Sequence, residues 1–438
     1  MEGTATVLDA VLDKLHPQVL EDIQALKQCA LTARCLLPAA QRILFRKVTL
    51  AEYVPPSKQY RVDQFLGLLT HSPHLAKYTT ELYLYIQPSE SWGDDLSQEP
   101  LSSVVPRLQS LEKVEICIYA AGSGNTQALT ARQISTLLGG MAIPEIRSFS
   151  LRRLHTVDMK EAFRLCRWLA ARGGLRCLQL SDIEITSVGP PSETVSSLQA
   201  QVAPTVVPIH LRQFVITHLP SGIDTFLQWA TSPNSPLRFT ELDELTVGHL
   251  TEQSSVYLLR ILDIAKNTLS YLRFTGETPS LSSFQFNAYR NLRRISCNLD
   301  AQIFSDSRAM VNEWCIALKG SGELKLESFD MQINSFFQDN WSLRPDDLAK
   351  ILLQYPWNKL EDVLVTGGCC AHFVLHIKLS FARIGADIIR ECFPLLHASD
   401  VCDLVVKNVV MDSAVYSGRV EWEYTSCSGE WKKNLPLP

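Results

Sequence analysis

The sequence contains no long apolar run. None of its 438 residues form a stretch apolar and long enough to cross a bilayer as a helix. The N-terminus lacks the charged-then-apolar order of a secretion signal, because Asp9 and Asp13 interrupt the one possible segment. These absences lead to the expectation of a cytoplasmic or nuclear protein with no membrane partner. A basic surplus is missing too. The formal net charge is -5, whereas a nucleic-acid binder would show a basic stripe, so no nucleic-acid partner is expected. The basic pairs Arg152-Arg153, Arg293-Arg294 and Lys432-Lys433 read as solvated surface.

Motifs that carry chemistry are equally scarce. There is no glycine loop followed by Lys-Ser/Thr to cradle a phosphate, and Gly122-Ser123-Gly124 lacks the third glycine. A Gly-x-Ser-x-Gly nucleophile elbow is absent. The twelve cysteines include no Cys-x-x-Cys pair and read as reduced or buried thiols. One cluster, Cys369, Cys370, His372 and His376, has ligand-type residues, and a helix would place both histidines on one face. Adjacent cysteines rarely both bind one tetrahedral ion and no second ligand pair supports a closed site, so packed side chains are the preferred reading. No enzyme activity, cofactor or metal is expected.

What the sequence does have is repetition. Leu111/Val114/Ile116, Ile146/Phe149/Leu151/Leu154, Leu175/Leu178/Leu180/Ile183, Leu211/Phe214/Ile216/Leu219 and Leu242/Leu245/Val247/Leu250 are copies of one phrase. Each has apolar residues at positions 1, 4 and 6, usually with a further one at 9. Positions 4 and 6 fall on one face of a short strand. Weaker copies start at Leu269, Leu292, Leu326 and Leu360, with a last one at Val401/Leu404/Val406, and Thr80 to Leu84 reads as the first strand of the series. Helical patterns lie between them: Ile134/Leu137/Leu138/Met141, Phe163/Cys166/Leu169, Ile223/Phe226/Leu227/Ala230 and Leu258/Ile261/Leu262. A strand followed by a helix and another strand requires parallel pairing. The expected fold is therefore α/β, with stacked units too numerous for a single globular core.

Before the repeats, Val7, Leu8, Val11, Leu12 and Leu15 make one helical face that Pro17 ends. Ile23, Leu26, Ala30, Ala33 and Leu37 make a second, and Ala39, Ala40, Ile43, Leu44 and Phe45 a third, before Val48 and Leu50 alternate as on a strand. Two further stretches stand apart. Thr186 to Pro208 reads as a loop insertion. Val415 to Tyr424, with Val420, Trp422 and Tyr424 alternating with glutamates, reads as a hairpin that closes the sheet edge.

The stretch Leu26 to Arg34, then Leu37-Pro38-Ala39-Ala40-Gln41-Arg42, then Leu44-Phe45-Arg46-Lys47-Val48-Thr49-Leu50 resembles the F-box-like domains of basidiomycete fungi. It departs from them in lacking the opening Leu-Pro, where Thr4-Ala5 stand, and the tryptophan near Leu36. The repeats are similar to an irregular leucine-rich-repeat region, without the asparagine or cysteine usual at position 9. These resemblances imply a small N-terminal helical F-box-like module (4–50) followed by a horseshoe with strands inside and helices outside (51–438), closed by a hairpin cap from about 408. They imply a substrate-recognition subunit of a cullin-type (SCF) ubiquitin ligase. Val7, Leu8, Val11, Leu12, Leu20 and Ile23 would bind the Skp-type adaptor. A protein substrate would lie on the concave face formed by positions 3, 5 and 7. Its rows are expected to include Glu81, Lys113, Glu115, Arg152, Gln179, Gln213, Glu244, Thr246, Asp330, Gln332, Asp362 and Thr366. Binding energy concentrates on aromatics and arginines, which singles out Tyr83, Tyr85, Tyr271, Arg273 and Arg294. The alternative is a protein-binding solenoid scaffold outside the ubiquitin system, in which residues 1–50 only cap the open end.

Overall fold

A computed structural model describes residues 20–32, 36–51, 60–86, 103–118, 146–153, 157–158, 165–166, 168–171, 173–183, 185–186, 208–217, 222–248, 251–275, 281, 284, 286–300, 304–319, 324–334, 352–379, 385–411, 419–428 and 431–433. The fold is mixed α/β, with mostly parallel strands. The chain divides into two compact units, one of residues 1–211, 218–238 and 438, the other of residues 212–217 and 239–437.

The first unit begins with helices α1 (Leu20–Thr32) and α2 (Leu37–Arg46). Pro38 lies in the first turn of α2, where its missing N–H costs no hydrogen bond. Leu26, Ala40 and Ile43 form a small core there, with Cys29, Ala30, Leu36, Ala39 and Leu44 packed against it. The chain passes from α2 directly into β1 (Lys47–Ala51), then β2 (Tyr60–Arg61), helix α3 (Val62–His71), β3 (Glu81–Ile86), β4 (Lys113–Ile118), β5 (Ser148–Arg152) and β6 (Cys177–Ser181). The strands lie in the order β2-β1-β3-β4-β5-β6, and all of these pairs are parallel. Two-residue parallel pairs, Val157–Asp158 with Ile185–Thr186 and Ile209–His210 with Leu237–Arg238, are separate from them. Helix α4 (Ile223–Ala230) follows Gly222, whose φ of 74° is a left-handed conformation that favours glycine.

The second unit runs β7 (Gln213–Thr217), β8 (Glu244–Gly248), helix α5 (Glu252–Ala265), β9 (Tyr271–Thr275), β10 (Arg294–Asp300), helix α6 (Phe304–Lys319), β11 (Leu326–Asn334), helix α7 (Trp357–Gly367), β12 (Cys370–Leu379), helices α8 (Ala386–Cys392) and α9 (Pro394–His397), and β13 (Asp403–Met411). These seven strands pair in parallel in chain order. Strand β14 (Arg419–Thr425) then turns back antiparallel on β13, and β15 (Trp431–Lys433) on β14. The alternation at Val420, Trp422 and Tyr424 is thus a strand, and Tyr424 is fully buried.

Positions 4 and 6 of the phrase make the core in both units. Val48, Leu82, Val114, Phe149 and Leu178 hold position 4 in the first, and Phe214, Leu245, Leu272, Ile295, Phe329, Phe373 and Leu404 in the second. All are at most 1% exposed. Burying each such side chain contributes roughly 1.5–3 kcal/mol. In the second unit Trp314 of α6 stacks on Phe286 at 5.7 Å and 9°, and lies 5.6 Å from Phe274 and 5.3 Å from Phe329.

Backbone groups ahead of each strand are met by a repeated pattern. The carbonyl at position 2 accepts from the N–H groups of positions 2 and 3 in the next copy. Thr80 O takes Glu112 N (2.9 Å) and Lys113 N (3.0 Å), Asp243 O takes Ser270 N (2.8 Å) and Tyr271 N (3.0 Å), and Ser270 O takes Arg293 N (2.9 Å) and Arg294 N (3.0 Å). This satisfies buried donors without any side-chain ladder.

Three expectations need correction. Leu360, Val363 and Val365 lie on helix α7, not on a strand. Trp357, Leu360, Glu361, Val363 and Leu364 are its buried residues, and Gly368 ends it at φ 54°. The strand belonging to that copy is β12, 44 residues after Leu326 (326 to 370), where Phe373, Leu375 and Ile377 are fully buried. Asp362 and Thr366 therefore leave the strand face, and Thr366 Oγ1 donates to Asp362 Oδ1 across one helical turn at 3.1 Å. The segment with His372 and His376 is likewise a strand, not a helix. Finally, the first ladder strand is Lys47–Ala51, ahead of Glu81–Ile86, since Lys47 to Ala51 pair in register with Glu81 to Tyr85. Val48 and Leu50 thus stand at positions 4 and 6 of an earlier copy beginning at Phe45. The Thr186 to Pro208 insertion falls almost wholly outside the described residues, as do Leu154, Leu219, Leu250 and the pattern from Ile134 to Met141.

Candidate functional site

Positions 3, 5 and 7 alternate with the buried leucines and phenylalanines, so a strand that sends positions 4 and 6 into the core turns these to the other face. Parallel pairing without a register slip then lines up equivalent positions as rows. In the second unit one row reads Gln213, Glu244, Tyr271, Arg294, Ser328, His372 and Asp403. The next reads Val215, Thr246, Arg273, Ser296, Asp330, Val374 and Val405, and a third includes Thr275, Asn298, Gln332, His376 and Lys407. In the first unit the rows are Glu81, Lys113, Ser148, Cys177; then Tyr83, Glu115, Ser150, Gln179; then Tyr85, Cys117, Arg152, Ser181.

The first unit's face is tied up by internal pairs. Tyr83 is only 9% exposed. Lys47 Nζ lies 4.1 Å and Lys113 Nζ 5.2 Å from its ring centroid, and its hydroxyl donates to Glu81 Oε2 at 3.0 Å. Burial pushes the Tyr83 pKa up, against the pull of the Lys113 ammonium. Arg152 Nε sits 3.4 Å from Glu115 Oε1. Tyr85 is half-buried on the same strand face.

The second unit's face is more open. The Arg294 guanidinium lies 4.9 Å from the Tyr271 ring centroid, a cation–π distance. Gln213 Nε2 donates to Glu244 Oε2 at 2.9 Å. Asp330 lies among Arg294, Lys407 and Arg273. Burial raises its pKa, opposed by a hydrogen bond from Ser328 and by those three cations. His372 Nδ1 is 3.3 Å from Asp403 Oδ2, and Lys407 Nζ is 3.9 Å from Glu423 Oε2. The Arg273 Nε and Asn298 Oδ1 atoms are buried without a hydrogen-bond partner among the described residues. Tyr271, Arg273 and Arg294 are thus brought together on adjacent strands, while Tyr83 and Tyr85 share one strand of the other unit.

The residues expected to grip an adaptor are described only in part. Val7, Leu8, Val11 and Leu12 fall outside the described residues, and so does the Leu20 side chain, although Leu20 opens α1. Ile23 is half-buried on α1. On the same helix Leu31 is 79% exposed, and Leu37 at the start of α2 is 37% exposed.

Sequence reasoning missed His372 and His376 as members of the face, because it placed a strand at Leu360. The period-2 burial of Phe373, Leu375 and Ile377 was the signal that could have found them. Cys369 and Cys370 are occupied locally: their thiols donate to Val363 O at 3.9 Å and His372 O at 3.0 Å. Among the described residues no three His, Cys, Asp or Glu side chains are grouped to hold a metal ion. None of the described helices is long and apolar enough to cross a membrane. No protein-family model matches the chain, and no curated protein sequence is significantly similar to it.

Proposed function

We propose that the chain is the substrate-recognition subunit of a cullin-type (SCF) ubiquitin ligase acting in the cytoplasm or nucleus. In this reading residues 4–50 form an F-box-like module that binds a Skp-type adaptor. The remainder is an irregular leucine-rich-repeat-like horseshoe, strands inside and helices outside, that holds a protein target on its polar strand face. The subunit catalyses nothing itself and takes no cofactor. It raises the effective concentration of the target beside another enzyme.

The observation that carries the adaptor half is Leu31. It is 79% exposed within the stretch that resembles an F-box, on the same helix α1 as the half-buried Ile23 of the expected adaptor-binding set. An exposed leucine of that size on a small helical pair suits a protein contact. The target half is supported by the in-register polar rows, which are the wide mixed surface a protein partner needs.

One observation favours the alternative of a scaffold in which residues 1–50 serve as a cap. Strand β1 pairs with both β2 and β3, so the N-terminal helices lead straight into the sheet, where a solenoid needs its core covered.

The test is a pull-down of the full chain with a Skp-type adaptor, beside the full-length variants Leu31→Glu and Leu8→Glu/Leu12→Glu. Because Leu31 is exposed, its substitution leaves folding intact. Adaptor binding by the parent chain that both variants lose supports the receptor. A parent chain that does not bind leaves the scaffold.

A further inference from the structure

The strand face of the second unit carries two guanidiniums that share the pull of one carboxylate, Asp330, and that among the described residues make no direct ion pair. Lys407 has Glu423, and Asp403 has His372. Glu244 accepts from Gln213, and Asp330 is drawn by Ser328 and three cations at once. Among the described residues neither Arg273 nor Arg294 forms an ion pair. Arg294 is exposed and rests over the Tyr271 ring at 4.9 Å. Arg273 is half-buried, and its Nε is a buried donor with no acceptor among the described residues. An unmet buried donor on a charged group is costly, and an incoming acceptor removes that cost.

The register fixes their spacing. Tyr271 pairs with Arg294 and Arg273 with Ser296, so the two arginines are diagonal neighbours on adjacent strands. Two residues along a strand and one strand spacing across put diagonal neighbours of a parallel pair roughly 8 Å apart. In an extended peptide, side chains two positions apart share a face and are separated by roughly 7 Å. Two carboxylates at such positions match two guanidiniums at this distance, and each guanidinium can hold a carboxylate in a fork of parallel hydrogen bonds.

We propose that Arg273 and Arg294 form an acidic-peptide subsite, which receives an extended segment of the partner protein carrying Asp or Glu at alternate positions. Tyr271 flanks the segment on one side. Asp330, two strands beyond Arg273 in the same row, repels a third carboxylate placed further along and so limits the acidic pair to the arginine end. This assignment rests on the reading of the strand face as a partner-binding surface, and it adds the partner's chemistry.

The experiment presents a random heptapeptide display library to the full chain, to Arg273→Gln, to Arg294→Gln and to the double variant, each confirmed folded by circular dichroism. The expected result is enrichment of sequences with two acidic residues separated by one position. Each single variant should weaken an enriched peptide about tenfold in fluorescence anisotropy, with weaker binding at high salt. Glutamine in place of either acidic residue should do the same. Enrichment of sequences without an acidic pair, or the same enrichment by the double variant, overturns the proposal, as does no enrichment at all. The wider reading fails separately. If peptides without acidic pairs enrich and Ser296→Trp abolishes their binding, the strand face is a binding surface and only the acidic assignment is wrong.

Discussion

Glu361 is the carboxylate whose burial has the clearest consequence. It sits on α7 with no exposed surface, and its Oε1 accepts from the backbone N–H of Leu396 at 2.9 Å. It thereby meets a donor of the short helix α9, which has no side-chain cap of its own. Its Oε2 has no hydrogen-bond partner among the described residues. Burial pushes the pKa up from the ordinary 4.5 to about 6, against the pull of the Leu396 and Leu395 amides. The folded protein therefore holds a proton on Glu361 more tightly than the unfolded chain does. That contribution to stability is fully present below 4.5 and is lost as the pH rises through about 6. A separation of this size corresponds to roughly 2 kcal/mol. Glu361→Gln keeps an oxygen for Leu396 and cannot ionise. Urea unfolding of both proteins between pH 4 and 8 should give a difference that shifts in favour of the variant by roughly 2 kcal/mol as the pH rises. The comparison cancels every other titrating group. A difference that stays constant between pH 4.5 and 7 would refute the reasoning, and so would one that moves in favour of the parent chain.

Two further outcomes follow from packing. Trp314→Ala removes the ring that Phe274, Phe286 and Phe329 surround and should lower unfolding stability by about 3–5 kcal/mol, measured in urea; a loss under 1 kcal/mol would mean that the cluster closes over the gap. At Gly248, an added Cβ would clash with both the carbonyl oxygen and Oγ1 of Thr275 on the paired strand. Gly248→Ala should therefore cost about 1–3 kcal/mol in the same assay, and an unchanged midpoint would show that β8 and β9 separate there without strain.

Much of the ladder could be read from local pattern. An anchor at position 1 with apolar residues at 4 and 6 is a short strand entered from a buried turn, and the copies from Leu111 to Leu292 stand where that pattern puts them. The same reasoning failed at Leu360. Leu360/Val363/Val365 fits the strand phrase, but Leu360/Val363/Leu364 with Trp357 fits a helix equally well, and both patterns are apolar every third or fourth residue. Nothing local separates them. The strand face could be named residue by residue, but not ranked. Tyr83 and Arg294 are alike as an aromatic and an arginine at outward positions of the phrase. Yet Lys47 and Lys113 cover Tyr83, whereas Arg294 is exposed and rests over the Tyr271 ring without a direct ion pair among the described residues.

By itself, then, the sequence determined the alternation from Leu111 to Leu292: which residues turn inward, that helices stand at Ile223–Ala230 and around Leu258 to Leu262, and that the strands there must be parallel. These depend on chemistry within one or two turns of the chain. Only the tertiary structure decided that Cys370–Leu379 continues the ladder, that Lys47–Ala51 opens it, and that Glu361 lies buried against the backbone of α9. Each of these outcomes depends on a partner distant in the chain. A strand exists only where a neighbour accepts its hydrogen bonds, and a charge is stabilised or left unpaired by whatever the register places beside it.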